Sequence, residues 1–237
     1  RTGIQKQMYN TIYQLMAVKV KHPEYLEQAE AMLMVPDYLQ YRLTGVMAQE
    51  YTEATTGQLI NPETKDWDYE LIDMLGFPRK IFLPVHKPGT VLGNLKPEIA
   101  KEVGFDLEVM QIGSHDTASA VLAVPANDDD FMYISSGTWS LMGVEAAEAN
   151  CSMKSRAANM TNEGGYNYRF RFLKNIMGLW MIQSVRHETG DAYSFAQLCE
   201  MAEEAKDFPS RVDCNDNCFL APKNMTEEVK DYCRRTG

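Results

Sequence analysis

Apolar residues recur at helical spacing in some stretches and at strand spacing in others, and this sets the expected order of elements. Ile12, Leu15 and Met16 line one face of a helix that starts at Asn10 or Thr11 and runs to about Lys19. Pro36 in a first helical turn, followed by Tyr38, Leu39, Tyr41 and Leu43 and stopped by Gly45, predicts a second helix. Asp66 or Asp68 starts a third, ending near Gly76. Residues 89–95 read as a strand and residues 97–103 as a helix closed by Gly104. A short apolar strand over 109–112 breaks at Gly113 and Ser114 before a helix-compatible run over 118–124, which puts Asp116 in a first helical turn. Residues 131–135 and 139–144 are β-type runs around Ser136-Gly137-Thr138, a hairpin signal. Residues 165–172 alternate, with Tyr166, Tyr168, Phe170 and Phe172 on one side, and helices are expected over 176–188, 195–205 and 226–234. Strands and helices mixed in this way predict an α/β architecture.

The polar, acidic stretch over residues 125–130 is the best domain boundary, so residues 1–127 and 128–237 are expected to belong to different domains. With 237 residues, 45% hydrophobic and 24% charged, the chain is long enough for one large or two small cores. Its longest apolar run, over 120–124, is far shorter than the roughly 20 residues of a membrane-spanning helix. A net charge of −10 without a basic cluster argues against nucleic acid as a partner, so a bound anion would have to be small and locally held. Five cysteines without a secretory signal predict reduced thiols in a cytoplasm. Cys214 and Cys218 have the spacing of a metal half-site but lack nearby His partners. The chain opens on Arg1 with no initiator Met, and it is expected to be an internal piece of a longer protein.

Asp116 is the strongest candidate for chemistry. At a helix N-terminus the peptide dipoles favour a carboxylate by about 0.3–1 kcal/mol, and such a group can accept a proton. A simple helix cap explains the same residue equally well. His115 beside it could hydrogen-bond a hydroxyl-rich substrate, or be a satisfied structural histidine. Ser135-Ser136-Gly137-Thr138 combines small side chains, hydroxyls and one glycine, so its backbone N–H groups could approach a phosphate. A plain hairpin turn is the simpler reading of those residues alone. Asn175 is expected to precede and cap the helix near Ile176, with Gln183 on the same helix eight residues later, about 80° around and about 12 Å along its axis. No Walker-type, dinucleotide-fingerprint or His-Glu-x-x-His motif occurs, which sets aside P-loop NTPases, many oxidoreductases and common zinc hydrolases.

The run Ser114-His115-Asp116-Thr117-Ala118-Ser119-Ala120-Val121, followed by Ser135-Ser136-Gly137-Thr138-Trp139-Ser140-Leu141-Met142-Gly143, closely resembles the FGGY family of carbohydrate kinases. Asn162-Glu163-Gly164-Gly165, Leu173-Lys174-Asn175-Ile176-Met177-Gly178-Leu179-Trp180, Met34-Val35-Pro36-Asp37-Tyr38 with Tyr41-Arg42-Leu43-Thr44-Gly45, and Glu50-Tyr51-Thr52 with Ala54-Thr55-Thr56 extend the likeness. It runs from Arg1 to about Trp180 and thins beyond. The resemblance implies an α/β fold made of parts of two ribonuclease-H-like (actin/hexokinase/Hsp70-type) domains, with 1–127 the later part of the first, sugar-side domain and 128–237 the opening part of the second, nucleotide-side one. It implies transfer of the γ-phosphoryl of ATP, with Mg2+, to a small sugar, the 1-hydroxyl of L-rhamnulose being the expected acceptor. Asp116 would be the catalytic base; His115, Asp116, Thr117 and Asn175 would touch the sugar; Thr138 and Gln183 would lie at the nucleotide. The family's N-terminal phosphate hairpin and its later adenosine-binding glycines are not in the chain, so this piece alone is expected to be inactive. The alternatives are a fuculokinase- or xylulokinase-type relative, for which the Asn-Glu-Gly-Gly and Lys-Asn-Ile-Met-Gly blocks would differ, and a non-catalytic sugar- or nucleotide-binding module.

Overall fold

The computed structural model describes residues 1–128 and 130–237; Asp129, within the acidic connector 125–130, lies outside them. The chain divides into two compact units, one of Arg1–Tyr133 with Gly143–Lys174 and the other of Ile134–Met142 with Asn175–Gly237.

In the first unit, helices Thr11–Lys21, Pro23–Gln28 and Tyr69–Leu75 surround a core of Tyr51, Leu59, Ile60, Trp67, Ile72, Phe77, Ile81 and Phe82. Ile72 is fully buried, which is worth about 1.5–3 kcal/mol. Helix Val35–Thr44 carries Pro36 in its first turn and ends at Gly45, whose φ of 80° is the left-handed conformation that glycine adopts without strain. Asp68 begins helix Tyr69–Leu75 by accepting a bond from the Leu71 N–H. Helix Tyr51–Thr56 has no counterpart in the sequence pattern. It buries Tyr51, Thr52, Ala54 and Thr55, on more than one face, and so shows no amphipathic period.

Three two-stranded sheets brace this unit: Gln49–Glu50 parallel to Val85–His86, Ile60–Asn61 antiparallel to Asp66–Trp67, and Val91–Asn94 antiparallel to Glu108–Met110. A four-stranded sheet has the order Met132–Ser136, Ser140–Ala146, Phe170–Ile176, Thr161–Gly164. The single strand expected over 165–172 is instead a reversal. Strands Thr161–Gly164 and Phe170–Ile176 pair antiparallel, Arg171 opposite Glu163, around a 3-10 turn at Tyr166–Tyr168. Asn167 and Tyr168 take φ of 55° and 63° there, so the aromatic alternation spans a turn, and Tyr168 packs edge-on against Tyr51 at 4.8 Å.

The second unit has its own core of Met177, Phe219 and Met225, with Trp139, Trp180 and Val185 against it. Helix Gly178–Glu188 begins two residues later than expected, with Met177 at its N-cap, and strand Phe170–Ile176 keeps Asn175. A Cβ on Gly178 would lie 2.3 Å from Ser140 Oγ, so a side chain there would have to displace the Ser140 hydroxyl. Helices Phe195–Glu204 and Met225–Thr236 follow, the first closed by a Ser194/Gln197 capping box. No helix among the described residues is long and apolar enough to cross a membrane.

Candidate active site

Helix Asp116–Leu122 follows the turn at 113–115, and two buried residues from the start of helix Tyr51–Thr56 hold that turn. Glu50 is fully buried. Its Oε1 accepts from the Thr52 N–H at 2.8 Å, and its Oε2 accepts from the Thr52 hydroxyl at 2.5 Å, the Glu53 N–H at 3.2 Å and the Ser114 N–H at 3.1 Å. The Thr52 hydroxyl in turn accepts from the His115 N–H at 3.2 Å. Ser119 closes the turn from the other side, its hydroxyl donating to the Gly113 carbonyl at 2.5 Å. The Asp116 carboxylate stands on this fixed backbone with its side chain 95% exposed. Its Oδ1 accepts from the Thr117 N–H at 2.6 Å and the Thr117 hydroxyl at 3.2 Å.

His115, not Asp116, is the N-cap of the helix: its Nδ1 accepts from the Thr117 N–H at 3.2 Å. Burial, then the charge of Arg171, lowers the ring to about 4 against the pull of Asp116, so at neutral pH the imidazole is uncharged. With Nδ1 accepting, the proton sits on Nε2. That nitrogen lies 3.6 Å from Glu163 Oε2, which is itself 3.2 Å from Arg171 Nη2. Arg171 is fully buried and donates from Nε to the Gly164 carbonyl at 3.1 Å. Burial pushes the Glu163 carboxyl up, against the pull of Arg171.

In the second unit the hairpin turns at 137–139, between strands Met132–Ser136 and Ser140–Ala146. Gly137 donates its N–H to the Trp139 carbonyl at 2.8 Å, and the Ser136 and Ser140 hydroxyls meet at 3.0 Å. One of the amides expected to face an anion is therefore bonded within the turn. A Cβ on Gly137 would meet nothing nearer than the Trp139 carbonyl at 3.7 Å. Packing within the chain does not require glycine there, and the small residue leaves room beside the exposed Thr138. The Thr138 carbonyl accepts from the Trp180 N–H at 2.9 Å, which ties the turn to the helix that carries the half-buried Gln183. Asn175 departs from expectation. It lies in strand Phe170–Ile176 and not at a helix cap, so it and Gln183 do not share a helix.

Sequence reasoning noted Glu50, Thr52, Glu163 and Arg171 only as parts of blocks or not at all. For Glu50 and Thr52 the local signal was a carboxylate two residues before a threonine, a capping pattern. For Glu163 and Arg171 the signal, an acid and a base in facing strands, emerges only once the reversal is known. Among the described residues no group of three or more His, Cys, Asp or Glu side chains is arranged to hold a metal ion.

Residues 1–123 match the N-terminal domain of the FGGY family of carbohydrate kinases, and residues 132–230 match its C-terminal domain. The chain belongs to this family, and its fold is the α/β, ribonuclease-H-like, actin/hexokinase-type fold expected from the sequence. It is 54% identical over 236 residues to a rhamnulokinase of Halalkalibacterium halodurans and 51% identical to one of Oceanobacillus iheyensis, covering 100% of this chain and 50% of each relative. The chain thus spans half the length of these curated relatives. The crystal structure of a ligand-bound xylulose kinase from Lactobacillus acidophilus superposes with a TM-score of 0.74 at 21% identity, over 86% of this chain and 41% of that one.

Proposed function

We propose that the chain is part of a sugar kinase of the rhamnulokinase type, one that carries the γ-phosphoryl of ATP to the 1-hydroxyl of L-rhamnulose in the cytoplasm. Residues 1–127 are the later part of the first family domain and supply the base; residues 128–237 open the second and supply nucleotide contacts. The observation that carries this reading is an exposed carboxylate, Asp116, on a turn whose two preceding amides are fixed by buried acceptors. Phosphoryl transfer depends on positioning and charge stabilisation, and a base that takes the hydroxyl proton as the new bond forms contributes roughly 10²–10⁴ in rate. In this reading Asp116 takes that proton. Thr117, Asn175 and the Nε2–H of neutral His115 hydrogen-bond the sugar, and Thr138 and Gln183 lie along the nucleotide. Mg2+, carried with the nucleotide, would supply charge neutralisation at its phosphates.

The test is ADP release in the longest natural form of the protein, with L-rhamnulose, L-fuculose and D-xylulose as acceptors. Asp116→Asn should lower turnover at least about 100-fold and leave sugar affinity within about tenfold, because the lost group acts mainly in the transition state. Turnover within a few-fold of the parent defeats the base assignment. A higher kcat/KM for either of the other sugars defeats the acceptor.

A further inference from the structure

We infer that Glu50 and Thr52 are positioning residues for Asp116, holding by hydrogen bonds the two consecutive backbone amides that precede it; this rests on the reading of Asp116 as the base. Capping helix Tyr51–Thr56 needs only the bonds from the Thr52 and Glu53 amides. Glu50 also takes the Ser114 N–H, 64 residues away along the chain, and capping does not explain that bond.

The hydroxyl of Thr52 makes the arrangement directional. Its proton is given to Glu50, so its oxygen faces the His115 N–H as an acceptor. The chain of donation therefore runs one way, from the His115 amide to the Thr52 hydroxyl to the Glu50 carboxylate. Both side chains are fully buried, where an amide left without an acceptor is costly, so the turn has little freedom to shift. Each oxygen of Glu50 accepts at least one backbone N–H. Gln has one carbonyl oxygen and one NH2, so in either orientation it turns a donor toward a donor.

Thr52→Ser keeps the relay, Thr52→Val deletes it at nearly constant volume, and Glu50→Gln disrupts it at the carboxylate. In the longest natural form, Thr52→Ser should stay within about threefold of the parent, while Thr52→Val and Glu50→Gln should lower kcat roughly tenfold or more, with the KM for sugar within about threefold. Amide hydrogen exchange on the chain is the second readout. Ser114 and His115 should exchange at least about tenfold faster in Glu50→Gln, and His115 in Thr52→Val, with protection elsewhere unchanged. Should Thr52→Val fail to fold, Glu50→Gln carries the test by the same exchange. Unchanged exchange at both amides, equal kcat in the two Thr52 variants, or a rise in KM at constant kcat overturns the inference. Parental kcat in Thr52→Val beside a dead Asp116→Asn rejects the positioning role and leaves the base in place; parental turnover in Asp116→Asn rejects the base itself.

Discussion

Replacing Asp37 with Asn should stabilise the protein above neutrality and change it little in acid. Asp37 sits in the first turn of helix Val35–Thr44 and is 1% exposed. Its Oδ1 accepts from the Glu50 N–H at 3.1 Å, and its Oδ2 is buried with no partner. Burial, helped by the charges of Glu50 and Glu53, raises this carboxyl from 3.8 to about 7 against the backbone amides of Glu50 and Met34. In the unfolded chain the group loses its proton near 3.8, whereas in the fold it keeps the proton until about 7. Between those values the folded state binds the extra proton, so its stability falls as pH rises through the window and is level above it. At about 1.4 kcal/mol per pH unit, the parent should lose about 3 kcal/mol through this one group between about pH 4.5 and about pH 8. Asn keeps the acceptor for the Glu50 amide and cannot ionise. The measurement is urea and thermal unfolding of parent and variant across that range. At the alkaline end the variant should unfold roughly 6–12 °C higher, taking roughly 2–4 °C per kcal/mol for a unit of this size. Parallel stability curves for the two proteins would refute the reasoning, because a solvated or hydrogen-bonded carboxylate has no such slope.

His115 should show the opposite slope. Its folded value of about 4 lies below the ordinary 6.5, so its contribution is complete above 6.5 and is lost as pH falls toward 4. His115→Gln should remove that dependence, up to about 3 kcal/mol, and an unaltered pH profile by urea unfolding would show the ring to be solvated. Thr138→Phe should raise the apparent KM for ATP in the longest natural form, because it fills the space beside Gly137; an unchanged KM puts the nucleotide elsewhere.

The elements legible in the sequence were those with local punctuation. Helices Val35–Thr44, Tyr69–Leu75 and Pro97–Val103 stop at Gly45, Gly76 and Gly104, and each of those glycines has a positive φ, so the end of the helix is written in one residue. Helix Tyr51–Thr56 also ends at a glycine, Gly57, but one with a φ of −67°, and burial on several faces of this short helix erases the period that betrays a surface helix. The stretch 165–172 misled for a different reason: Tyr166 and Tyr168 in the turn and Phe170 and Phe172 in the strand after it keep the two-residue rhythm of one strand. Only the left-handed Asn167, a residue tolerant of that conformation, hinted at the turn. Asn175 was misplaced by the same limit, since an Asn before an apolar helical run satisfies a capping rule whether or not the strand before it has ended.

Chemistry follows the same division. Asp116, Thr138 and the small residues around them stand in short local patterns, so the sequence could single them out as candidates. What holds the turn ahead of Asp116 could not be read, because Glu50 and Thr52 act on Ser114 and His115 across more than sixty residues. Polar side chains are also read by default as solvated, yet Glu50, Thr52 and Arg171 are all fully buried. A buried polar group left unbonded destabilises the fold, so the bonds that buried Glu50 and Thr52 make constrain the amides they reach. By that argument the bonds converging on Glu50 do two things: they cap helix Tyr51–Thr56, and they tie that cap to the Ser114 amide, two residues ahead of Asp116.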